Sequence, residues 1–227
     1  MLSFRFSLLN SFVDSEVPLG SNVVLIGPPG VGKTMFCEAL LCECLSKRVE
    51  ALYITLDHTP KDVRNRISKR EIDLTRREVL VFVDGYSWLV GESTERYRVG
   101  NLSNLSDLSV KIISASSELG DGIFFVFDSI STLLLYSVEN EVERFLGVNM
   151  ARMKHTSNVG VWVVEQGIHS ESFYNALRHM ADGILELRFE EGGELKRFIR
   201  MHTFKGVSHN TAWKPFVVSK DGLVTIG

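Results

Sequence analysis

The chain has 227 residues, 44% of them hydrophobic, and a formal net charge of −3. That suits one compact α/β unit over residues 1–227, with no linker rich in Pro, Gly or Ser, and the slightly acidic balance argues against a dedicated nucleic-acid binder. No apolar run approaches the length needed to span a membrane.

Residues 1–20 read as a lead-in. Met1–Leu9 is too short for a signal peptide and carries Arg5. Leu8–Val13 offers a helical turn, and Pro18–Ser21 a turn into the first strand. Asn22–Ile26 is a short apolar, β-branched run that predicts a buried strand. It leads into Gly27, Pro28, Pro29, Gly30, Val31, Gly32, Lys33 and Thr34, the G-x-x-x-x-G-K-[ST] pattern of a P-loop. Met35–Leu45 follows as a buried helix. Strand, glycine loop and helix give the pattern its required context. The glycines let backbone N–H groups turn toward phosphate oxygens, and the helix start adds a positive dipole end. The stretch from Gly27 to Met35 is therefore predicted to bind ATP. Lys33 reaches for the β- and γ-phosphates and Thr34 for Mg²⁺. A bare glycine turn would need neither residue. Cys37, Cys42 and Cys44 all lie on this helix, without disulfide or zinc spacing, and read as reduced packing residues of a cytoplasmic protein.

Ala51–Leu56 predicts the next strand. Thr59 and Pro60 read as N-cap and first residue of a helix to about Arg70. Its cations Lys61, Arg64, Arg66, Lys69 and Arg70, with Arg76 and Arg77 beyond, are interspersed with Asp62, Glu71, Asp73 and Glu78. They read as a solvated face rather than a binding patch. Val79–Val83 is a third strand, and residues 91–103 read as a mobile polar loop. Leu105–Leu119 and Glu139–His155 predict helices, with the apolar strand Gly122–Phe127 between them. Gly160–Val164 is a fifth strand and Glu171–Met180 a short helix. Ile184–Phe189 and Leu195–Phe204 alternate apolar and polar residues around Glu190–Gly193, which predicts a β-hairpin. Phe216–Val218 and Leu223–Ile226 flank Lys220-Asp221-Gly222 as a second one. The fold expected is a P-loop α/β three-layer sandwich, with a mostly parallel central sheet and antiparallel C-terminal strands.

Asp128 closes an all-apolar strand, where a carboxylate can hold the Mg²⁺ hydration shell beside a P-loop. Ser129 follows it, where ring ATPases with a D-E pair carry a water-polarising Glu. Asp57, at the end of the second strand and one strand over from the P-loop, is the candidate carboxylate facing the γ-phosphate and orienting water. Asp84 ends the third strand, either near the site or as a turn cap. His155, His169, His179 and His202 lack metal-ligand spacing and read as packing or surface residues. Trp88, Trp162 and Trp213 are too scattered for a base-stacking platform and read as core.

An ordered set of segments resembles the KaiC-like branch of the RecA superfamily, over about residues 8–226. Thr55-Leu56-Asp57-His58-Thr59-Pro60 is similar to its T-x-E-E-[ST]-P strand end. Asp84-Gly85-Tyr86-Ser87 resembles the D-x-Y-S segment of archaeal KaiC-like ATPases. Leu177-Arg178-His179-Met180-Ala181-Asp182-Gly183 resembles L-R-H-x-A-D-G, and Arg200–His209 resembles R-x-x-K-x-R-G-x-x-H. The resemblance implies a RecA-like core of archaeal type that assembles into homo-oligomeric rings, often hexamers, with ATP between subunits. It places Lys33, Thr34 and Asp128 in the cis site and Glu165 at the sensor glutamate. It places Lys205 at the arginine finger of the late hairpin, acting on the neighbour's nucleotide, with His209 near it. Thr203 stands where a second basic residue is usual.

The departures bear on turnover. Asp57 and His58 replace the paired glutamates. Asp is one methylene shorter than Glu, and a misplacement of that size lowers a rate on the order of a hundredfold. His58 is a weaker, pH-dependent substitute. A lysine finger lacks the bidentate fork of arginine. The sequence therefore supports a slow Mg²⁺-dependent ATPase acting as a homo-oligomer, or else an ATP-gated switch for an unidentified protein partner. A DNA recombinase is disfavoured by the acidic segment Tyr136–Phe145 and by the Gln166–Tyr174 segment. A double-domain autokinase is disfavoured by the single P-loop.

Overall fold

A computed structural model describes residues 4–13, 15–70, 79–91, 93–192, 194–219 and 224–227. Runs of β-branched and aromatic residues form the central strands. β1 (Asn22–Gly27), β2 (Ala51–Thr55), β3 (Leu80–Asp84), β5 (Phe124–Asp128) and β6 (Val159–Glu165) are buried along nearly their whole length. Strands covered on both faces pair in parallel because helical crossovers return the chain to the same edge. β4 (Tyr97–Arg98) and β7 (Gly183–Gly192) extend the parallel set. β8 (Glu194–Phe204), β9 (Lys214–Val218) and β10 (Val224–Ile226) continue the sheet as antiparallel strands. The order is β10-β9-β8-β7-β1-β6-β5-β2-β3-β4.

Helices cover both faces. α1 (Lys33–Ser46) and α2 (Pro60–Ser68) pack with the odd-numbered β1 side chains Val23 and Leu25. α3 (Leu105–Leu119), the short α4 (Ile130–Leu133), α5 (Glu139–His155) and α6 (Glu171–Met180) pack with Val24 and Ile26 on the other face. Among the described residues, no helix is long and apolar enough to cross a membrane. The expected three-layer sandwich with an antiparallel extension is what the chain forms. Thr59 caps α2 by accepting the Asp62 amide at 3.1 Å, with Pro60 at the first helical position.

Four expectations need correction. The lead-in belongs to the core: Phe4, Phe6, Leu9, Phe12, Val13 and Val17 are all buried, and Phe4 and Phe6 pack on Phe124. Leu9, Phe12 and Val13 share one face of the expected helical turn, where the Phe12 and Val13 amides both bond the Leu9 carbonyl at 2.9 Å, but Phe4, Phe6 and Val17 fit no such repeat. The 91–103 stretch contains β4 and the buried Val99 and Leu102, and is not a loop throughout. The cations of α2 are not simply solvated. Arg64 makes a two-pronged ion pair with Glu95, Arg66 reaches Glu38 on α1 at 2.8 Å, and Arg70 leans on Cys42 and the Met35 carbonyl. Long stems let these charged groups bury their apolar part while finding a partner. Trp162 is core, but Trp213 is only half-buried. The guanidiniums of Arg188 and Arg200 lie over its ring at 4.3 and 4.5 Å.

All three cysteines are free and buried, and burial raises each thiol, Cys42 to about 11. Glu71, Asp73, Arg76, Arg77, Glu78, Gly193 and the Lys220-Asp221-Gly222 turn lie outside the described residues.

Candidate active site

The sheet brings the candidate residues to one edge. β1 and β6 run in register, Gly27 opposite Glu165, and β2 and β5 run in register, Thr55 opposite Asp128. Since β1, β6, β5 and β2 are consecutive in the sheet, the P-loop, Glu165, Asp128 and Asp57 leave neighbouring strands at their carboxyl ends. That is where open α/β sheets bind ligands.

The loop from Gly27 to Gly32 turns on two glycines of positive φ, Gly30 at 73° and Gly32 at 106°. Val31 is buried and anchors it, while Pro29 and Gly30 are exposed at its tip. A Cβ on Gly32 would also meet the Phe216 ring at 3.1 Å. Among the described residues no side chain caps α1 at Gly32, so the first N–H groups of this 14-residue helix are open to an outside acceptor. Lys33 is 6% exposed. Its ammonium donates to the carbonyls of Gly27 at 2.8 Å and Pro28 at 2.9 Å, and to Glu165 Oε1 at 3.1 Å. Met35 is half-buried and meets Arg70 through its carbonyl.

Thr34 Oγ1 donates to Asp128 Oδ2 at 2.9 Å, and so does the Tyr53 hydroxyl at 2.9 Å. Burial of Asp128, then the charge of Asp57, pushes its carboxyl above the ordinary range, against the hydrogen bonds of Thr34 and Tyr53 and the nearby His58. Burial, then Asp128, pushes the Tyr53 phenol well up. Two carboxylates beside a hydroxyl form a hard oxygen donor set with unrelieved negative charge. That chemistry fits a divalent cation held largely through water and phosphate. The uncapped α1 start fits the phosphates.

Asp57 is not one strand over from the P-loop: β6 and β5 lie between β1 and β2, because the crossover after α1 carries the chain past the places that the later strands fill. It is half-buried and accepts a hydrogen bond from Thr132 Oγ1 on α4. His58 stands next to it, and its carbonyl accepts the Thr55 hydroxyl at 2.6 Å. Asp84 is a turn cap. It accepts the amides of Tyr86 at 3.1 Å and Ser87 at 2.9 Å, and the Ser93 hydroxyl at 2.5 Å.

Lys205 is not part of this cluster. It follows β8, whose last residue Phe204 pairs with Gly183 at the start of β7, on the amino-terminal side of the parallel strands. Its ammonium donates to the His179 carbonyl at 2.7 Å, closing α6. Thr203 and His209 accompany it, His209 bonding the Val207 carbonyl at 2.7 Å. His155, His179 and His202 are exposed. His169 is half-buried, shares a 2.7 Å bond with Ser131 and packs on Phe173 and Tyr174. Burial holds its imidazole below the ordinary range, against Glu139 and Glu165.

Sequence reasoning missed Tyr53, Ser131, Thr132 and Phe216. Signals existed for three. A Tyr on a fully buried strand needs a polar partner, and the run Ser129-Ile130-Ser131-Thr132 puts hydroxyls beside the strand-end aspartate. Nothing local marks Phe216.

Comparison with known proteins places this geometry. The family model "ATPase: KaiC" matches residues 8–227. A UPF0273 protein of Pyrococcus furiosus is 25% identical over 224 residues, covering 95% of this chain and 90% of the relative. One of Thermotoga maritima is 27% identical over 226 residues, covering 95% and 91%. The crystal structure of a KaiC-like protein from the hyperthermophilic archaeon Pyrococcus horikoshii OT3 superposes with a TM-score of 0.78 at 17% identity, covering all of this chain and 98% of that one. The fold is therefore of the KaiC-like RecA type, and the chain belongs to the KaiC ATPase family.

Proposed function

We propose that this P-loop protein is a Mg²⁺-dependent ATPase of low turnover, working as a cytoplasmic homo-oligomer, a hexamer by analogy with its family, with nucleotide at the subunit interface. One RecA-like unit over residues 1–227 carries the activity. The observation that supports this reading is the gathering of Lys33, the Thr34–Asp128 pair and Asp57 at the carboxyl ends of strands within the consecutive set β1-β6-β5-β2.

Lys33 would leave Glu165 for the β- and γ-phosphates, and the α1 start and the P-loop amides would cradle them. Thr34 and Asp128 would hold Mg²⁺, which when bound neutralises charge on the transferring phosphoryl group. Asp57 would accept a proton of the attacking water. Lys205, at the opposite side of the sheet, would act on a neighbour's nucleotide. The short Asp57 side chain and the lysine finger account for a low rate.

The test is Mg·ATP turnover against protein concentration, with Lys33→Ala and Asp57→Asn as controls. A rate that rises faster than linearly and vanishes in both variants supports an oligomeric ATPase. ATP bound without turnover above the Lys33→Ala background would replace it with a nucleotide-gated switch serving a protein partner.

A further inference from the structure

We infer that Thr132 is a positioning residue for Asp57, fixing one carboxylate oxygen so that the other faces water. This rests on the reading of Asp57 as the water-orienting carboxylate. The Thr132 hydroxyl has a single proton and donates it to Asp57 Oδ1. Ser129 Oγ stands 3.0 Å from Thr132 Oγ1, so the Ser129 hydroxyl must be the donor there. The result is a one-way chain, Ser129 to Thr132 to Asp57, in which each bond polarises the next. Among the described residues Asp57 Oδ2 takes no hydrogen bond.

The frame holding Thr132 is rigid. Ile130 and Leu133 are fully buried and pin α4 directly after β5. Ser131 accepts the Glu165 amide at 2.8 Å, tying α4 to the end of β6. The Leu56 amide donates to the Asp128 carbonyl at 2.7 Å, tying the approach to Asp57 to the same strand end. Asp57 and Thr132 are thus carried on two strand ends fixed to each other. An aspartate too short to reach as a glutamate does is held in one rotamer, which lowers the entropy of attaining the reactive geometry.

The test compares Thr132→Val, Thr132→Ala and Thr132→Ser with Asp57→Asn and the wild type. It measures the single-turnover rate of Mg·ATP hydrolysis and, separately, ATP affinity. Loss of the hydroxyl is expected to slow the single-turnover rate about 10- to 100-fold, with affinity changed less than about twofold. Thr132→Ser, which keeps the donor, is expected to restore most of the rate. Thr132→Ala serves if the valine variant fails to fold. A wild-type rate in the hydroxyl-free variants while Asp57→Asn is inactive would overturn the positioning role. So would equal losses in the serine and valine variants. A wild-type rate in Asp57→Asn would instead overturn the reading beneath it.

Discussion

Lys33 Nζ and Glu165 Oε1 stand 3.1 Å apart, with the ammonium also held by the carbonyls at the head of the P-loop. Under the proposed function, an incoming phosphate would compete with that carboxylate. Glu165→Ala should therefore tighten ATP binding about fivefold, the worth of a partly exposed ion pair. Lys33→Ala should weaken it about 100-fold, as expected for loss of a charge-assisted contact. Titration with a fluorescent ATP analogue measures both. Unchanged binding in Glu165→Ala would mean that the pair opens at no cost.

Glu43 on α1 clamps the amino-terminal segment. It accepts the Ser7 amide at 2.7 and 3.0 Å, the Ser7 hydroxyl at 2.8 Å and Lys47 at 2.7 Å. Burial acts to raise its carboxyl, but Lys47 and Ser7 together hold it below the ordinary range. A lowered carboxyl contributes stability above its unfolded value, near 4.5, and loses it as pH falls through the lower folded value. Glu43→Gln should be less stable than wild type by ~1 kcal/mol at neutral pH. The gap should close as the medium becomes more acidic than about pH 4. Urea unfolding at a series of pH values tests this, and a gap independent of pH would count against the clamp.

Glu38 is 0% exposed and is paired with Arg66 at 2.8 Å, yet among the described residues Glu38 Oε2 and Arg66 Nη2 find no partner. Burial already pushes the Glu38 carboxyl up, against Arg66 and Arg70. Arg66→Ala leaves that carboxylate without its hydrogen-bonded partner, with only the more distant charge of Arg70 beside it. Because it can take up a proton, the loss should be about 2 kcal/mol rather than the full value for a broken buried pair. Adding Glu38→Leu should recover part of it. Chemical denaturation of the two single variants and the double variant decides, and strictly additive losses would show no coupling.

Lys205 lies on the far side of the sheet from the P-loop of its own chain. Lys205→Ala should leave ATP affinity within about twofold and depress turnover at least tenfold, the effect of losing a transition-state contact. Mixing it with Lys33→Ala should restore activity. Under random assembly roughly a quarter of interfaces would join an intact Lys33 to an intact Lys205. Two inactive variants that stay inactive on mixing, while still assembling, would exclude action between subunits.

The sequence carried most of the fold because local and global signals agree over β1, the P-loop and α1, where a buried strand, glycines and helix formers follow in order. It also put Asp128 and Asp57 at strand ends, where the structure has them, but not the order of the strands: β2 stands three places from β1 rather than one, because strand order is set by tertiary packing and leaves no local mark. The burial of Phe4, Phe6 and Val17 escaped because it is set by tertiary contact without a repeat. β4 escaped because two residues are too few to show alternation. Tyr53 and Thr132 escaped for another reason. Their hydroxyls reach the site carboxylates through partners 75 positions away in the chain, and no periodicity reports such a contact.

The four consecutive strands β1, β6, β5 and β2 set the candidate site out as a ruler about 14 Å long, three strand spacings. Each mark on that ruler is fixed by counting residues along a strand. Deleting one residue inside β5 would draw Asp128 back by about 3 Å and turn its side chain to the opposite face of the sheet. The same deletion in the connections after the strand tips would leave every mark where it stands. Insertions and deletions that spare the site are therefore those in the connecting segments.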